Sequence, residues 1–492
     1  MGTGLTAISV AKVLDEVGIK FSVIDAGINH NQLLESKELK EFTKKFSSPK
    51  LSSIDDSFAF KEFSKHINIK ENNFASIGSL ASGGLSNIWG AGISKYSKSE
   101  LARACSFNKP EYVETSYLKI NELLQENKEL GFRSVSNFRK IYPEILINSA
   151  CQGLYENQFI NNQKLIFNLP TNAIKRTSKI NDASKHQNAW MGEFKNLEIF
   201  NSKFIFEQIF HKNKNSLISN TLIRSISKKD NIFIIDCINK ITNEEVQIKA
   251  KEIFCCLGVL TTTKIVLEME KSFNTKLPIL NTPAASFISF CFQKNYYAGN
   301  LSLNNLNFEL NLNNETISGG VFPMTPSLFN KISQKWILPE GVKKLLYRLF
   351  FSRILISNIF FPSTYSQNTI SLSEKNILSI EGKNKRKKVM NGFKYIIRLL
   401  KAEFKKERIL ILPLTKKILK PGEDIHYGGT IQSNRKNSIS TNNKGQLCNN
   451  QNFYICDSSS MNYLGGKPHS FNAMVNARVI AMTYASKKEK KF

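Results

Sequence analysis

The sequence has no paired cysteines, no long apolar run and few acidic residues, and each shortage excludes a class of protein. Its eight cysteines form no Cys-x-x-Cys pair, so we expect neither a disulfide framework nor a bound metal. Cys255 and Cys256 are adjacent in an apolar stretch typical of a buried strand. The chain has no signal peptide and no run of about 18 uncharged apolar residues. We therefore expect a cytoplasmic protein without a membrane span.

The shortage of acid gives the chain a strong positive charge. Lys and Arg number 68 against 40 Asp and Glu, for a formal net charge of +28. Such a field attracts nucleic acid, anionic lipid or acidic sugars. Lysine is far more abundant than arginine, and no aromatic residues alternate with the basic runs to provide a stacking surface for bases. We interpret the charge as lysine spread over solvated faces and predict no nucleic-acid partner.

The first residues match a dinucleotide-binding motif. Gly2, Gly4 and Ala7 follow the spacing Gly-x-Gly-x-x-Gly/Ala, a helical apolar pattern runs from Ala7 to Leu14, and a short strand then ends at Asp25. In this motif the glycines let backbone N–H groups approach a pyrophosphate at the helix N-terminus, and the acid binds ribose hydroxyls. The motif predicts a nucleotide site in the first 25 residues.

Two later regions carry further residues suited to a site. A glycine-dense, apolar segment contains Gly83, Gly84, Ser86, Asn87 and Trp89. Its glycines permit a tight backbone turn, and its serine and asparagine are small hydrogen-bonding groups. We predict that this segment passes close to a ligand.

The second region includes the carboxyl-terminal part of the chain. An apolar strand before Gly258 is followed by a helix, as in the return strand of a nucleotide-binding domain. Further along, His426 precedes a Gly-Gly turn, an apolar strand ends at Asp457, and His469 precedes a terminal helix. These positions are the remaining candidates for binding and catalysis.

Residues 276–420 have a different character. They contain several strand-like stretches and a basic helix whose apolar residues are spaced three and four apart, namely Met390, Phe393, Ile397, Leu400 and Phe404. Because 492 residues exceed what one core holds, we predict a second domain here, a sheet with helices on one face.

Segment 341–363 is basic, aromatic-rich and amphipathic. We expect a helix that packs under a sheet, with Lys and Arg side chains extended to solvent. The alternative is a helix that lies in a membrane interface, which would give the protein a peripheral membrane contact.

Taken together, the motifs resemble the glucose-methanol-choline (GMC) family of FAD-dependent oxidoreductases. The shared order is the glycine turn, Gly-Gly-x-Ser-x-x-Trp-Gly, a strand-Gly-helix unit, His-x-x-Gly-Thr and a strand that ends in Asp-x-Ser. The matches cover roughly the first hundred residues, 244–268 and 423–485. The sequence after Gly466 is most similar to a branch found among bacterial polysaccharide genes. The resemblance therefore implies a sugar-like alcohol as substrate and a role in polysaccharide biosynthesis.

The resemblance implies an α/β fold with two domains. A Rossmann-like FAD-binding domain would comprise residues 1–110, 200–275 and 421–492, and a substrate domain of sheet plus helices would comprise 111–199 and 276–420. The cofactor contacts implied are Gly2, Gly4 and Asp25 for the ADP part, Gly83, Gly84, Ser86, Asn87 and Trp89 for the flavin, Gly258 at the return strand, and Asp457 for the ribityl–pyrophosphate region.

The resemblance also implies the chemistry. His426 matches the family's catalytic histidine, which takes the alcohol proton while the flavin takes the hydride. The family pairs this histidine with a His or Asn, but that position falls on Pro468, with His469 one residue later. Either the loop shifts to present His469 to the substrate, or the second group is lost.

The predicted function is thus oxidation of an alcohol by FAD, with the electron acceptor, oxygen or a carrier, left open. One alternative is a binding protein that keeps the flavoprotein fold without turnover, similar to GDP-dissociation inhibitors. Another is a flavoenzyme of different chemistry, such as an isomerase or a reductase.

The glycine motif lacks the parallel strand that normally precedes it. Loss of a central strand costs free energy on the scale of a domain's whole stability, about 5–15 kcal/mol. We therefore expect the functional protein to carry several apolar residues before this motif, and the chain as given to bind FAD poorly.

Overall fold

The structure is a computed structural model. It describes residues 1–27, 63–87, 89–105, 109–124, 149–157, 165–176, 197–212, 215–292, 305–324, 329–330, 333, 336–435 and 439–489. Most of the polar segment that follows the first strand lies outside these ranges.

The predicted glycine turn, helix and strand are confirmed. Helix α1 (Leu5–Glu16) begins directly after Gly4 and buries the side chains of the predicted apolar positions. Strand β1 (Ser22–Ile24) ends one residue before Asp25. The local pattern therefore folds as the motif requires.

A parallel sheet gathers segments from both ends of the chain. Strand β1 pairs in parallel with β6 (Ser216–Ile218), and β10 (Ile253–Cys255) pairs in parallel with β21 (Phe453–Ile455). The first two residues join these pairs, because the Gly2 N–H donates to the Ile24 carbonyl at 2.8 Å and the Cys256 N–H donates to the Met1 carbonyl at 3.1 Å.

Next to Met1 the sheet is interrupted. The edges of β1 and β10 border a cavity of about 420 Å³, which side chains of α1 also line. Within the described residues, only residues 1 and 2 bridge these two strands. The two strand pairs therefore leave a cavity between them beside Met1.

A three-stranded antiparallel sheet follows β6. Its strands are β7 (Thr221–Lys229), β8 (Ile232–Asn239) and β9 (Glu245–Ala250). Strands β7 and β8 pair in antiparallel register, with one shift between Ile223 and Ser225. The chain then enters β10 and helix α6 (Val259–Met269), with Gly258 between them.

Residues 276–420 supply most strands of two further sheets, and the smaller sheet also includes Ile69–Asn72 and Tyr427–Gly428, which were assigned to the FAD-binding domain. The larger has the order β18-β12-β15-β14-β13-β3, with β19 beside β12, and its strand pairs are antiparallel. The smaller has the order β2-β17-β16-β11-β20. The strands of the larger sheet are β3 (Leu165–Asn168), β12 (Ala284–Cys291), β13 (Leu306–Leu312), β14 (Glu315–Pro323), β15 (Ile354–Phe360), β18 (Ile409–Ile411) and β19 (Lys417–Ile418). Those of the smaller sheet are β2 (Ile69–Asn72), β11 (Leu277–Asn281), β16 (Asn368–Leu372), β17 (Leu378–Glu381) and β20 (Tyr427–Gly428).

The predicted basic helix and the predicted terminal helix are both present. Helix α8 (Arg386–Lys406) contacts β18 through a buried face that includes Phe393, Ile397, Leu400 and Phe404. Helix α9 (Ser470–Glu489) lies against α1 and is buried over most of its length. The remaining described elements are α2 (Lys98–Ala104), α3 (Glu111–Leu124), α4 (Ser149–Asn157), α5 (Ser202–Lys212), β4 (Ile174–Arg176) and β5 (Leu197–Ile199).

The expectation for segment 341–363 is wrong in one respect. The segment contains not one packed helix but helix α7 (Glu340–Leu349) followed by strand β15. No residue of α7 is buried, since only part of its surface lies against the protein. No helix among the described residues is long and apolar enough to cross a membrane.

Candidate functional site

A cleft opens where the parallel strands end. The N-termini of α1, α6 and α9 all border it. Backbone N–H groups in the first turn of a helix lack partners within that helix and favour an anion. Of the predicted site residues, the cleft is lined by Gly2, Gly4, Asp25, Gly84, Ser86, Gly258, Asp457 and His469.

The two glycines of the first turn serve different purposes. Gly2 has φ of +86°, and a Cβ there would lie 2.5 Å from the Cys256 carbonyl oxygen, so a larger residue is excluded. A Cβ on Gly4 would meet no protein atom within 4 Å. The backbone at Gly4 is thus open to a ligand at the start of α1.

Asp25 is buried, and both of its carboxylate oxygens are engaged. The Thr3 hydroxyl donates to Oδ2 at 2.7 Å and the Gly27 N–H donates to Oδ1 at 2.7 Å. Burial raises the pKa of Asp25 above its ordinary value. The Thr3 hydroxyl also accepts a bond from the Gly83 N–H at 2.8 Å. This bond ties the first turn to the glycine-dense segment.

The glycine-dense segment packs directly on that turn. Gly83 and Gly84 have φ of +86° and +56°. A Cβ on Gly84 would lie 3.6 Å from the Gly4 Cα, so the two turns are in close contact. The Ser86 hydroxyl donates to the Gly83 carbonyl at 2.6 Å and closes the loop.

Asn87 and Trp89 support this loop through hydrogen bonds to the backbone. The Asn87 amide donates to the carbonyls of Ser82 and Gly84 at 2.9 and 2.8 Å. The Trp89 indole donates to the Phe200 carbonyl at 2.9 Å. Their predicted contact with a flavin stays a prediction, while these bonds give both residues a part in fixing the loop.

Asp457 connects the last strand of the sheet to the middle of the chain. Its Oδ2 accepts bonds from the Gly258 N–H at 3.0 Å and from the Thr262 hydroxyl, and its Oδ1 accepts one from the Ser459 N–H at 2.9 Å. Burial raises its pKa. Gly258, with φ of +83°, is the residue before the first turn of α6. The carboxylate therefore holds the start of α6 at the cleft.

The structure brings the two predicted histidines together. His426 precedes β20 and His469 precedes α9, and their ring centroids lie 5.6 Å apart with the rings nearly perpendicular. Ile425 and Tyr427, on either side of His426, line the cleft together with His469. The loop at Pro468 thus places the His469 ring beside that of His426, and a role for His469 at the substrate stays a prediction.

The two imidazoles have different surroundings. His469 is buried, and burial, followed by the charge of His426, lowers its pKa to about 3. No described residue bonds to its Nδ1 atom. The His426 side chain is 23% exposed. At neutral pH His469 is therefore an uncharged neighbour of a more accessible histidine.

Sequence reasoning missed Asp424, which lies beside His426. Its Oδ2 is 3.4 Å from His426 Nδ1, a contact that falls outside hydrogen-bond geometry. The same oxygen accepts a bond from the Thr282 hydroxyl, and the side chain is 2% exposed. The signal in the sequence that could have indicated this carboxylate is the stretch Glu-Asp-Ile-His, in which two acidic residues closely precede the histidine.

A buried ion cluster beside the His469 loop was also missed. Lys467 Nζ lies 2.9 Å from Glu309 Oε2 and 3.8 Å from Glu100 Oε2. Glu100 and Lys467 are almost completely buried. Removal of one charge of this cluster would leave the others buried without a partner, which is costly. The ion pairs therefore stabilise the position of the loop that carries His469. Glu309 and Glu100 belong to separate segments, so no local pattern could have shown the pairing.

The described residues contain no group of three or more His, Cys, Asp or Glu side chains placed to hold a metal ion. The arrangement is instead a cleft bordered by helix N-termini, two buried carboxylates and His469, with the His426 ring next to that of His469. Such a site can hold an elongated anionic ligand and move a proton at one end.

The fold is of the α/β class, with a Rossmann-like domain and a second domain of sheets and helices, as predicted. A solved structure with this fold is pyridoxine 4-oxidase from Mesorbium loti, which aligns over 98% of both chains with a TM-score of 0.65 and 10% sequence identity. At this identity the likeness concerns the fold alone. No family model and no curated protein sequence matches the chain.

Proposed function

We propose that the protein is an FAD-dependent oxidoreductase of the GMC type that oxidises the CH–OH group of a sugar-like alcohol. The observation that carries the proposal is the convergence of Gly4, Gly258, Asp457 and His469 on one cleft, although they are far apart in sequence. The order of the motifs and the fold shared with a protein named pyridoxine 4-oxidase support it.

The residues present fit FAD. The open backbones at Gly4 and Gly258, where a Cβ would meet nothing within 4 Å, lie at the N-termini of α1 and α6. These two turns would hold the pyrophosphate by backbone N–H groups. Asp25 would bind the ribose end, and Asp457 the ribityl region. Two glycine turns and two carboxylates along one cleft suit an elongated dinucleotide better than a compact ligand.

When bound, FAD supplies the acceptor for the hydride that leaves the alcohol carbon. His426, the more exposed of the two imidazoles, would accept the proton from the alcohol oxygen. The Asp424 carboxylate, 3.4 Å from His426 Nδ1, places a negative charge beside the imidazole that gains the proton. His469 stays uncharged because of its low pKa, so it can hold the alcohol oxygen without repelling the proton that His426 gains.

The proposal is tested with the purified protein reconstituted with FAD, by its absorbance spectrum and by anaerobic mixing with candidate sugar alcohols. We expect bands of an oxidised flavin that bleach with a substrate. His426→Ala should retain flavin but slow the bleaching by about 10²–10⁴-fold, the usual contribution of a general base. His66→Ala, which leaves both paired imidazoles in place, is the control and should bleach at the wild-type rate.

Other outcomes separate the alternatives. A flavin that remains oxidised with every alcohol indicates a binding protein of the flavoprotein fold. Bleaching by a reduced nicotinamide but by no alcohol indicates a reductase. Bleaching of His426→Ala at the wild-type rate would show that this histidine is not the base.

A further inference from the structure

Helix α7 turns an apolar stripe to solvent. Val342, Leu345 and Leu349 follow one another at spacings of three and four residues, so they share one face of the helix, and Leu338 lies in the segment that leads into it. Each is between 41% and 55% exposed. Ile337, directly before them, is fully exposed. A contiguous apolar stripe on a surface marks an interaction site more often than isolated apolar residues do.

The opposite side of α7 is held firmly by aromatic packing. Phe329 is buried, and its ring centroid lies 5.3 Å from Tyr347, 5.6 Å from Trp336 and 4.6 Å from Phe351. The Tyr347 hydroxyl donates to the Met324 carbonyl at 3.0 Å. Because this cluster fixes the helix from beneath, the exposed stripe is not a helix face left unpacked by fraying.

The apolar surface continues onto the edge of the larger sheet. Leu410 in β18 pairs with Phe290 in β12, and paired residues lie on the same sheet face. The Phe290 ring contacts Phe292 at 5.4 Å between centroids. Phe292 and Leu410 are both at least half exposed. An Arg353 N–H donates to the Phe292 carbonyl at 3.4 Å, so the end of β12 lies next to the turn after α7.

The charges around this surface are positive. Glu340 is the only acid between Glu315 and Glu374 in the sequence, and it already pairs with Lys343 at 2.8 Å. Lys344, Arg348 and Arg353 are further cations in or directly after α7. An apolar stripe flanked by Lys and Arg is the arrangement by which interfacial helices bind anionic bilayers.

We propose that this surface, the α7 face, docks the protein on a membrane that contains anionic lipid. The α7 face comprises Ile337, Leu338, Val342, Leu345, Leu349, Phe350, Phe292 and Leu410. Its apolar side chains enter the boundary between headgroups and acyl chains, and Lys344, Arg348 and Arg353 contact lipid phosphates. A second copy of the chain is the less suitable occupant, because a symmetric contact would place two sets of these cations together.

The experiment is co-sedimentation of the full chain with vesicles of phosphatidylcholine alone or mixed with phosphatidylglycerol. We expect binding to the mixed vesicles that weakens with salt, and little binding to the neutral ones. The double variant Leu345→Glu/Leu349→Glu should bind the mixed vesicles at least about tenfold more weakly, since two apolar contacts are lost and two like charges are added. Leu118→Glu changes a leucine on α3 that is 64% exposed and should bind as wild type does.

The cations are tested separately. Lys344→Glu/Arg348→Glu should also weaken binding to the mixed vesicles, whereas Lys119→Glu should not. Circular dichroism establishes that each variant is folded before it is compared. Quenching of Trp336 fluorescence by brominated lipid, lost in Trp336→Phe, would support docking through this surface.

Three outcomes would overturn the proposal. One is equal binding to neutral and anionic vesicles. Another is a double variant that binds the mixed vesicles as tightly as wild type. The third is absence of vesicle binding together with a dimer in sedimentation velocity that Leu345→Glu/Leu349→Glu dissociates, which would make the α7 face an interface between copies.

Discussion

The paired histidines differ in burial and in the charged groups that lie near them. His469 is buried with its pKa lowered to about 3, whereas His426 beside it is partly exposed and lies near the Asp424 carboxylate. Two charged imidazoles at this separation would repel each other, and burial keeps His469 uncharged at neutral pH. This asymmetry suits a site in which one imidazole takes the proton and the other holds the substrate oxygen.

The low pKa of His469 predicts a dependence of stability on pH. Between about pH 3 and pH 6.5 the unfolded chain binds a proton at this residue that the folded chain does not. The contribution of His469 to stability is therefore complete above pH 6.5 and declines as the pH falls towards 3. His469→Asn should show a smaller loss of melting temperature than wild type between about pH 7 and about pH 5, measured by differential scanning calorimetry.

Comparison of wild type with His469→Asn isolates the contribution of His469 to the pH dependence of stability. Asp25 and Asp457 have raised pKa values and contribute the opposite slope, because the folded state holds their protons to higher pH than the unfolded state. Since both carboxyls are unchanged in the variant, their contribution cancels. Equal loss of melting temperature in the two proteins would contradict the burial of a neutral His469.

Gly4 permits a test of the first turn that spares the fold. A Cβ at Gly4 would meet no protein atom within 4 Å, and its φ of −70° is open to any residue. We therefore expect Gly4→Ala to keep the wild-type melting temperature but to bind FAD about tenfold or more weakly, since the added methyl group occupies the space of the ligand. Fluorescence titration of the apoprotein with FAD measures the affinity.

Gly90→Ala is the matched control. A Cβ at Gly90 also meets nothing within 4 Å, and the residue follows Trp89 outside the cleft lining. This variant should bind FAD as wild type does. If Gly4→Ala also binds FAD normally, the first turn does not approach the nucleotide.

At the scale of elements, the site follows from the direction of the strands. Strand β1 belongs to one parallel strand pair, and β10 and β21 form another. Strands β1, β10 and β21 each end at the cleft. Helices that begin after such strands point their N-termini at the same edge. The N-termini of α1 and α6 and the side chains of Asp25 and Asp457 therefore all border the cleft at this edge.

The interruption of the sheet beside Met1 predicts that an added strand would stabilise the protein. An extension of about five apolar, β-branched residues directly before Met1 could pair with both β1 and β10 and fill the cavity between them. We expect this extended protein to have a higher melting temperature and to retain more flavin after purification than the chain as it stands. Absorbance at the flavin bands relative to protein measures the retention.

A Gly-Ser extension of equal length is the control, because it adds chain without strand propensity or apolar side chains. It should leave flavin retention unchanged. Equal, stoichiometric flavin in all three proteins would show that the bridge through residues 1 and 2 is sufficient for binding.

Apolar spacing predicted α1 and α8 but could not orient α7. The buried faces of α1 and α8 are those that the spacing indicated. In α7, Tyr347 packs on Phe329 while Leu345 and Leu349 are exposed. A pattern of apolar residues does not tell which side meets the protein, so the expectation of a single helix packed under a sheet was wrong.

For the molecule as a whole, the cleft depends on contacts between distant segments. Thr3 bonds to Asp25 and Gly83, and Gly258 bonds to Asp457. A ligand that spans the cleft therefore stabilises several parts of the chain at once. We expect FAD to raise the melting temperature in a concentration-dependent manner, measured by circular dichroism because bound flavin does not disturb the far-ultraviolet signal of helices strongly.

FMN and AMP test separately how much each end of the dinucleotide contributes to this rise in melting temperature. Each carries only one end of the dinucleotide and should raise the melting temperature less than FAD at equal concentration. An equal rise with AMP and with FAD would mean that the flavin end makes no contact, and would leave the histidine pair without a cofactor.

The sequence by itself determined the local elements and the residues that carry chemistry. Glycine spacing, apolar periodicity and acids at strand ends depend on neighbours within a few residues, so the turn at Gly2, helix α1 and the candidates Asp25, Asp457, His426 and His469 could all be named from it. Tertiary structure alone decided which of these meet. The approach of His469 to His426, the carboxylate of Asp424, the Lys467 ion cluster and the outward face of α7 arise from contacts between segments far apart in the chain. Such contacts depend on packing of the whole fold, which no local pattern encodes.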